Sequence, residues 1–185
     1  MRIDLARAVI DASGTWQNQN PLGAAGIPAT GEAGQRAIVY GIPDILGGAH
    51  ADNAGKRVLV IGGGHSAANA LLDLARLAET DHSLQLTWAV RSTNLARVFG
   101  GGADDQLPAR GKLGSDLKQL VDDGRLQLVK GFHAEEVTND GGALVVTGRL
   151  LSGRFILGPV DRIIVATGQR PDLDMTRELR LDFDP

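Results

Sequence analysis

Arg57-Val-Leu-Val-Ile-Gly-Gly-Gly-His-Ser-Ala-Ala-Asn-Ala-Leu-Leu-Asp-Leu-Ala75 decides how the chain is read. Val58 to Ile61 is an uninterrupted apolar run of strand length, and apolar residues at helical spacing follow from about Ser66 to Ala78. Between them stands Gly62-x-Gly64-x-x-Ala67, the G-x-G-x-x-G/A pattern of a dinucleotide-binding turn. Gly62 frees the chain to turn off the strand. Gly63 extends the turn, and Gly64 omits the side chain that would obstruct a pyrophosphate. Ala67 lets the helix lie close to the strand. The unpaired N–H groups at the start of that helix then face the phosphates.

The same residues admit two other readings. A glycine-rich strand-to-helix turn can bind nothing. Alternatively, Gly64-His65-Ser66-Ala67-Ala68 resembles the nucleophile elbow of serine esterases, with Ser66 as nucleophile. The elbow lacks its final glycine, because Ala68 stands there. It also needs an acid and then a histidine downstream, and only His82 and His133 follow.

Leu84 to Val90 reads as a second parallel strand, so Val58 to Val90 forms a βαβ unit. The end of this second strand bears on the cofactor. An adenosine with free ribose hydroxyls is held there by Asp or Glu, whereas this chain has Val90-Arg91-Ser92, with Arg97 beyond. Arginine makes charge-assisted, often bidentate bonds to phosphate, which suits the 2′-phosphate of NADP. The expectation is therefore NADPH, with a merely solvated arginine as the alternative.

Composition bounds the rest. The chain has 185 residues, 43% hydrophobic and 22% charged, as expected of a globular protein. A net charge of −3 gives no reason to expect nucleic acid or a membrane surface as partner. No apolar run approaches the roughly 20 residues of a spanning helix, and Met1-Arg-Ile-Asp-Leu-Ala lacks a signal-peptide pattern, so a cytoplasmic protein is expected. With no cysteine there is no disulfide scaffold or dithiol pair, and four scattered histidines offer no metal-ligand spacing.

The remaining elements follow from turn residues and periodicity. Ala8 to Gly14 reads as a short strand, Thr15 to Gly34 as a long connection, and Ile38 to Pro43 as an extended piece followed by loop to Lys56. Gly100 to Gly111 reads as a flexible loop. Ser115 to Val121 reads as a short helix with Ser115 as N-cap and Gly124 just past its end. Leu126 to Val129 is a third strand. Three antiparallel pieces follow near 131–137, 144–151 and 154–157, and Asp161 to Pro171 holds a buried strand ending in a small turn. The fold class is α/β, a Rossmann-like parallel sheet with a three-stranded antiparallel meander.

One internal echo brackets the βαβ unit. Ala8-Val-Ile-Asp-Ala-Ser-Gly14 aligns with Arg162-Ile-Ile-Val-Ala-Thr-Gly168. The order of Ala-Ser-Gly turn, long crossover, glycine motif, Arg-Ser, meander and Ala-Thr-Gly resembles the NADPH-binding domain of two-dinucleotide-domain flavoproteins. These include flavin-containing monooxygenases and pyridine nucleotide–disulfide reductases. The resemblance covers about Ala8 to Leu173. It implies a domain inserted into an FAD domain, with 1–34 as FAD-domain strand and crossover, 35–168 as the NAD(P)-binding domain and 169–185 as the return. It further implies that Gly62, Gly64, Ser66 and Ala67 hold the pyrophosphate beside His65. Arg91, Ser92 and Arg97 would hold the 2′-phosphate, and Ala166-Thr167-Gly168 would lie against NADPH or at the domain junction.

The resemblance assigns no catalytic side chain to this chain. FAD would be bound largely by segments outside it, and a domain excised from a longer parent is the expectation. The departures matter too. No Cys-x-x-Cys is present, which argues against the thioredoxin reductase branch. The Phe-x-Gly-x-x-x-His signature of monooxygenases is not met, since His50 follows Gly47 and Gly48 at the wrong spacing. A hydride-delivering NADPH domain of a flavin oxidoreductase, with a monooxygenase as one possible parent, stands beside two alternatives. These are the Ser66 esterase and a non-enzymatic NADP-binding module.

Overall fold

The computed structural model describes residues 14–100 and 107–174, together with residues 7, 8, 10, 12 and 178. Twelve elements follow in chain order: β1 (Ile38–Tyr40), α1 (His50–Asn53), β2 (Arg57–Ile61), α2 (His65–Thr80), β3 (Gln85–Val90), α3 (Ala96–Phe99), α4 (Pro108–Asp122), β4 (Gln127–Lys130), β5 (His133–Asp140), β6 (Ala143–Leu150), β7 (Gly153–Val160) and β8 (Arg162–Val165).

Strands β1, β8, β2, β3 and β4 lie side by side in that order, all neighbours parallel. Strands β5, β6 and β7 form a separate antiparallel sheet. The α/β class and the meander read from the sequence are both present.

Alternation along the central strands explains the layering. Val58 and Val60 face the helices and pack with Leu71, Leu74 and Leu117. Leu59 and Ile61 face the other way, onto Val137, Leu144, Val146 and Leu157 of the meander. The parallel sheet is thus buried on both faces, which is why β2 is apolar from Val58 to Ile61 rather than alternating. Each fully buried aliphatic side chain contributes about 1.5–3 kcal/mol, so the meander and the helices both clamp the sheet.

Several elements differ from the sequence reading. Helix α4 begins at Pro108, well before Ser115. Ser115 is no cap: its hydroxyl donates to the Gly111 carbonyl at 2.9 Å from within the helix. Gly111 and Gly114 look like breakers in sequence but are buried packing positions. A Cβ on Gly114 would sit 1.9 Å from the Phe99 carbonyl oxygen. The expected loop from Gly100 to Gly111 is therefore helical from Pro108, and its residues 101–106 lie outside the described residues. Residues 50–53, read as loop, form one helical turn. Gly124, with φ +66°, follows the last turn of α4 as expected. Of the strand expected over Ala8 to Gly14, residues 9, 11 and 13 lie outside the described residues, and the described Ala8, Ile10, Ala12 and Gly14 are in no strand.

The long connection from Thr15 to Gly34 has no helix or strand of its own, yet it is not free. Leu22 and Ala29 are buried in the meander-side core. The Ala24 and Thr30 N–H groups donate to the carbonyls of Ala134 and Glu135, at 3.0 and 2.9 Å. Its start runs against the segment after β8: Asn20 N–H donates to the Gly168 carbonyl and Arg170 N–H to the Asn18 carbonyl, each at 3.0 Å. Among the described residues no helix is long and apolar enough to cross a membrane.

Candidate functional site

Because all five strands of the larger sheet are parallel, the carboxyl ends of β8, β2 and β3 open on one edge. The chain starts at the edge strand β1, crosses to β2, steps outward to β3 and β4, and then returns to place β8 between β1 and β2. The topological switch point is therefore between β2 and β8, where open α/β sheets form a crevice. A cavity of about 860 Å³ occupies it.

Gly62 opens the floor of the cavity. Its φ is +145°, and a Cβ there would lie 2.1 Å from the Ala166 carbonyl oxygen. The first glycine of the motif is thus required by the close approach of β8 as well as by the turn. Its carbonyl accepts the indole N–H of the fully buried Trp88 at 2.7 Å. Its own N–H donates to the Ala89 carbonyl at 3.1 Å, and Ala166 N–H donates to Ile61 at 2.8 Å. The turn is tied to both neighbouring strands.

Gly63 and Gly64 meet open space, with nothing within 4 Å of a Cβ placed on either. Gly64 is the N-cap of α2 in extended conformation, without a side-chain cap. The helix's first bond runs from Ala68 N–H to the Gly64 carbonyl at 3.1 Å. The preceding N–H groups and the positive dipole end, equivalent to roughly half a charge, point toward the cavity edge. Ser66 lines the cavity, Ala67 is fully buried beneath it, and His65 is exposed and outside the lining.

The end of β3 supplies the cations. Arg91 and Arg97 both line the cavity. Arg91 donates from Nη1 to the Ala24 carbonyl at 3.0 Å. Ser92 lines the cavity too, but its hydroxyl donates to the Asn94 carbonyl at 2.6 Å and so shapes the turn. The Asn94 side chain in turn accepts the Ala96 N–H at 2.8 Å, starting the short helix α3 that presents Arg97.

On the far side, Ala166, Thr167 and Gly168 line the cavity at the end of β8. The Thr167 hydroxyl donates to the carbonyls of Asn20 and Pro21, at 3.0 and 3.1 Å, which anchors the crossover beside the site. Of the residues singled out from sequence, all but His65 and Ala67 reach the lining.

Two walls escape sequence reasoning. One is the crossover at Asn20 to Ala24, the other Phe132 to Ala134 at the entry to β5. Neither carries a motif, and the only sequence hint in the first is its run of small residues and proline. The residues present suit a dinucleotide: a side-chain-free turn at a helix N-terminus, and two arginines along the same cavity.

The esterase arrangement is not built. His82 follows the C-terminus of α2, a sixteen-residue helix that begins beside Ser66, so the two are separated by about 24 Å of helix. Among the described residues no hydrogen bond joins Ser66 to His133, although both line the cavity.

Comparison with known proteins agrees with the architecture. Residues 23–98 match the family of L-lysine 6-monooxygenases and L-ornithine 5-monooxygenases. Comparison with curated proteins finds no match. A bacillithiol disulfide reductase from Bacillus cereus aligns with a TM-score of 0.63 at 18% identity, covering 92% of this chain and 43% of that one. An engineered water-forming NADPH oxidase bound to NADPH aligns at 0.61 and 20%, covering 94% and 33%. The cadaverine monooxygenase DfoA from Erwinia amylovora, bound to FAD, aligns at 0.60 and 18%, covering 85% and 46%. The chain thus spans less than half the length of each of these structures. It has the fold of a Rossmann-like domain of FAD/NAD(P)-dependent oxidoreductases, and its resemblance to the two-dinucleotide-domain flavoproteins holds.

Proposed function

We propose that the chain is the NADPH-binding domain of a flavin-dependent oxidoreductase. The observation that carries this reading is the cavity at the β2–β8 switch point, with the bare Gly63-Gly64 turn at one end, Arg91 just after β3 and Arg97 on α3. The α2 N-terminus and the glycine backbone would receive the pyrophosphate. Arg91 and Arg97 would receive the 2′-phosphate, and Ala166 to Gly168 would flank the nicotinamide end. When bound, the nicotinamide supplies a hydride to a flavin. This chain's residues bind and orient; none acts as an acid, base or nucleophile.

A second observation favours NADPH over NADH. The engineered NADPH oxidase carries substitutions that introduce an Arg-Ser pair, a second arginine five residues beyond that serine, and an alanine in place of a glycine. The water-forming oxidase from Lactobacillus brevis from which it derives is described bound to NADH. Arg91, Ser92 and Arg97 reproduce the Arg-Ser pair and the second arginine at that spacing.

The parent is read as a monooxygenase, in line with the family matched over residues 23–98. FAD would be held by other segments of that parent. The paired, antiparallel course of residues 18–20 and 168–170 is what an inserted domain needs if the chain enters and leaves at one place.

Calorimetric titration of the chain and of Arg91→Ala with NADPH and NADH tests the assignment. NADPH binds the wild type more tightly than NADH, and Arg91→Ala removes about 1.5–3 kcal/mol from NADPH alone. Equal affinity for both cofactors, unchanged by Arg91→Ala, overturns the 2′-phosphate assignment. Visible absorbance of the purified chain checks the flavin: a stoichiometric yellow flavin would contradict binding by other segments.

A further inference from the structure

One cavity wall, Asn20 to Ala24, belongs to a segment without helix or strand, and a single buried carboxylate gives it shape. Glu32 is 3% exposed. One of its oxygens accepts the Leu22 N–H at 2.8 Å and the Tyr40 hydroxyl at 2.6 Å. The other accepts the N–H groups of Ala29 at 2.7 Å and Gly23 at 3.3 Å. Four donors on two oxygens compensate the burial of the charge and bend residues 22–29 around it. The bend is tight: a Cβ on Gly23 would lie 2.1 Å from the Ile27 carbonyl oxygen. Partial burial, reinforced by the bond to Glu32, holds the Tyr40 phenol well above its ordinary range, so it remains a donor.

The next residue, Ala24, is fixed from both sides. Its N–H donates to the Ala134 carbonyl at 3.0 Å, and its carbonyl accepts Arg91 Nη1 at 3.0 Å. Phe132 N–H donates to the Val90 carbonyl at 2.9 Å, which closes a ring through Arg91, Ala24, Ala134, Phe132 and Val90. Glu32 itself is not part of the cavity lining.

We propose that Glu32 is a positioning residue for NADPH selectivity, holding the Ala24 carbonyl where it orients Arg91 for the 2′-phosphate. This rests on the reading that Arg91 receives that phosphate. An exposed arginine side chain loses much rotamer freedom on binding. A carbonyl bonded to one of its five donors restricts those rotamers beforehand and leaves four donors for the ligand. Because the acceptor is a neutral carbonyl, the positive charge of Arg91 stays uncompensated, as an anion site requires.

The test is titration with NADPH and NADH of wild type, Glu32→Gln, Tyr40→Phe, Arg91→Ala and the doubles that join each of the first two to Arg91→Ala, with melting curves to confirm folding. Glu32→Gln keeps the volume but places an amide donor among backbone N–H groups. Its NADPH dissociation constant is expected to rise about three- to tenfold while that for NADH changes less, with a smaller change of the same sense in Tyr40→Phe. Once Arg91 is absent, neither change should cost NADPH affinity further. An equal loss for both cofactors, or a fully additive double variant, overturns the role of Glu32 and leaves the Arg91 assignment standing. If the wild type shows no preference for NADPH, the Arg91 assignment itself falls, and this inference with it. Should Glu32→Gln not fold, Tyr40→Phe and its double with Arg91→Ala decide by the same criteria.

Discussion

The Trp88 indole N–H donates to the Gly62 carbonyl at 2.7 Å, joining the fully buried aromatic residue of β3 to the first glycine of the motif. The bond satisfies a carbonyl that the sharp turn removes from the sheet ladder. Trp88→Phe keeps a ring in the core but leaves that carbonyl unpaired and the site underfilled. We expect a stability loss of about 2–4 kcal/mol in urea titrations, together with weaker NADPH binding as the turn loosens. A variant with wild-type stability and affinity would show that the bond positions nothing.

The glycines of the motif separate by role. Gly62→Ala drives a methyl group onto the Ala166 carbonyl at a φ of +145°, so it should cost about 2–4 kcal/mol of stability. Gly64→Ala adds its methyl to open space at a φ of −112°, where the backbone accepts it. Its melting temperature should stay close to wild type while NADPH affinity falls by about tenfold or more, because the methyl occupies the pyrophosphate's approach. Thermal melts paired with titrations distinguish the two, and a stable Gly64→Ala that binds NADPH normally removes the pyrophosphate from this turn.

How much of this was legible in the sequence depends on where each signal resides. The strand, turn and helix around Gly62 were readable because apolar period and glycine spacing are local. The meander was readable from its Gly-rich turns. Helix α4 was misread because Gly111 and Gly114 argue against a helix until Phe99 is seen packed against it. The crossover wall was not readable at all. Its shape comes from backbone N–H groups converging on Glu32, and backbone donors leave no mark in a sequence. The second wall, at Phe132 to Ala134, is tied to the site by bonds distant in sequence, from Phe132 N–H to Val90 and from Ala24 N–H to Ala134.

At the opposite end of β2 the Arg57 guanidinium donates to both oxygens of Asp161, at 3.0 and 2.6 Å, and the Arg57 N–H adds a third bond at 2.8 Å. These bonds hold the Asp161 carboxyl at about 2, against an ordinary value of 3.8. A carboxyl depressed in the folded state contributes stability that is complete above its unfolded value and disappears as pH falls from about 3.8 toward 2. Asp161→Asn should therefore melt a few degrees below wild type at neutral pH, and the gap should close over that acidic window. A gap that stays constant through the window would mean the charge is not what stabilises this end of the sheet.

Arg97 reaches the cavity from the four-residue helix α3. Besides the Asn94 cap and the buried Val98, two contacts of Phe99 hold α3: its ring packs edge-on against Trp88, with ring centroids 6.4 Å apart, and its carbonyl lies against Gly114 of α4. Gly114→Ala would set a methyl 1.9 Å from that carbonyl oxygen, so α3 must shift and carry Arg97 with it. The variant should lose stability and NADPH affinity together, by about 1–3 kcal/mol in stability and severalfold in binding. Arg97→Ala should reproduce the binding loss with little change in melting, because its side chain is exposed. If Gly114→Ala melts early yet binds NADPH like wild type, α3 does not position Arg97 and the second arginine drops out of the phosphate site.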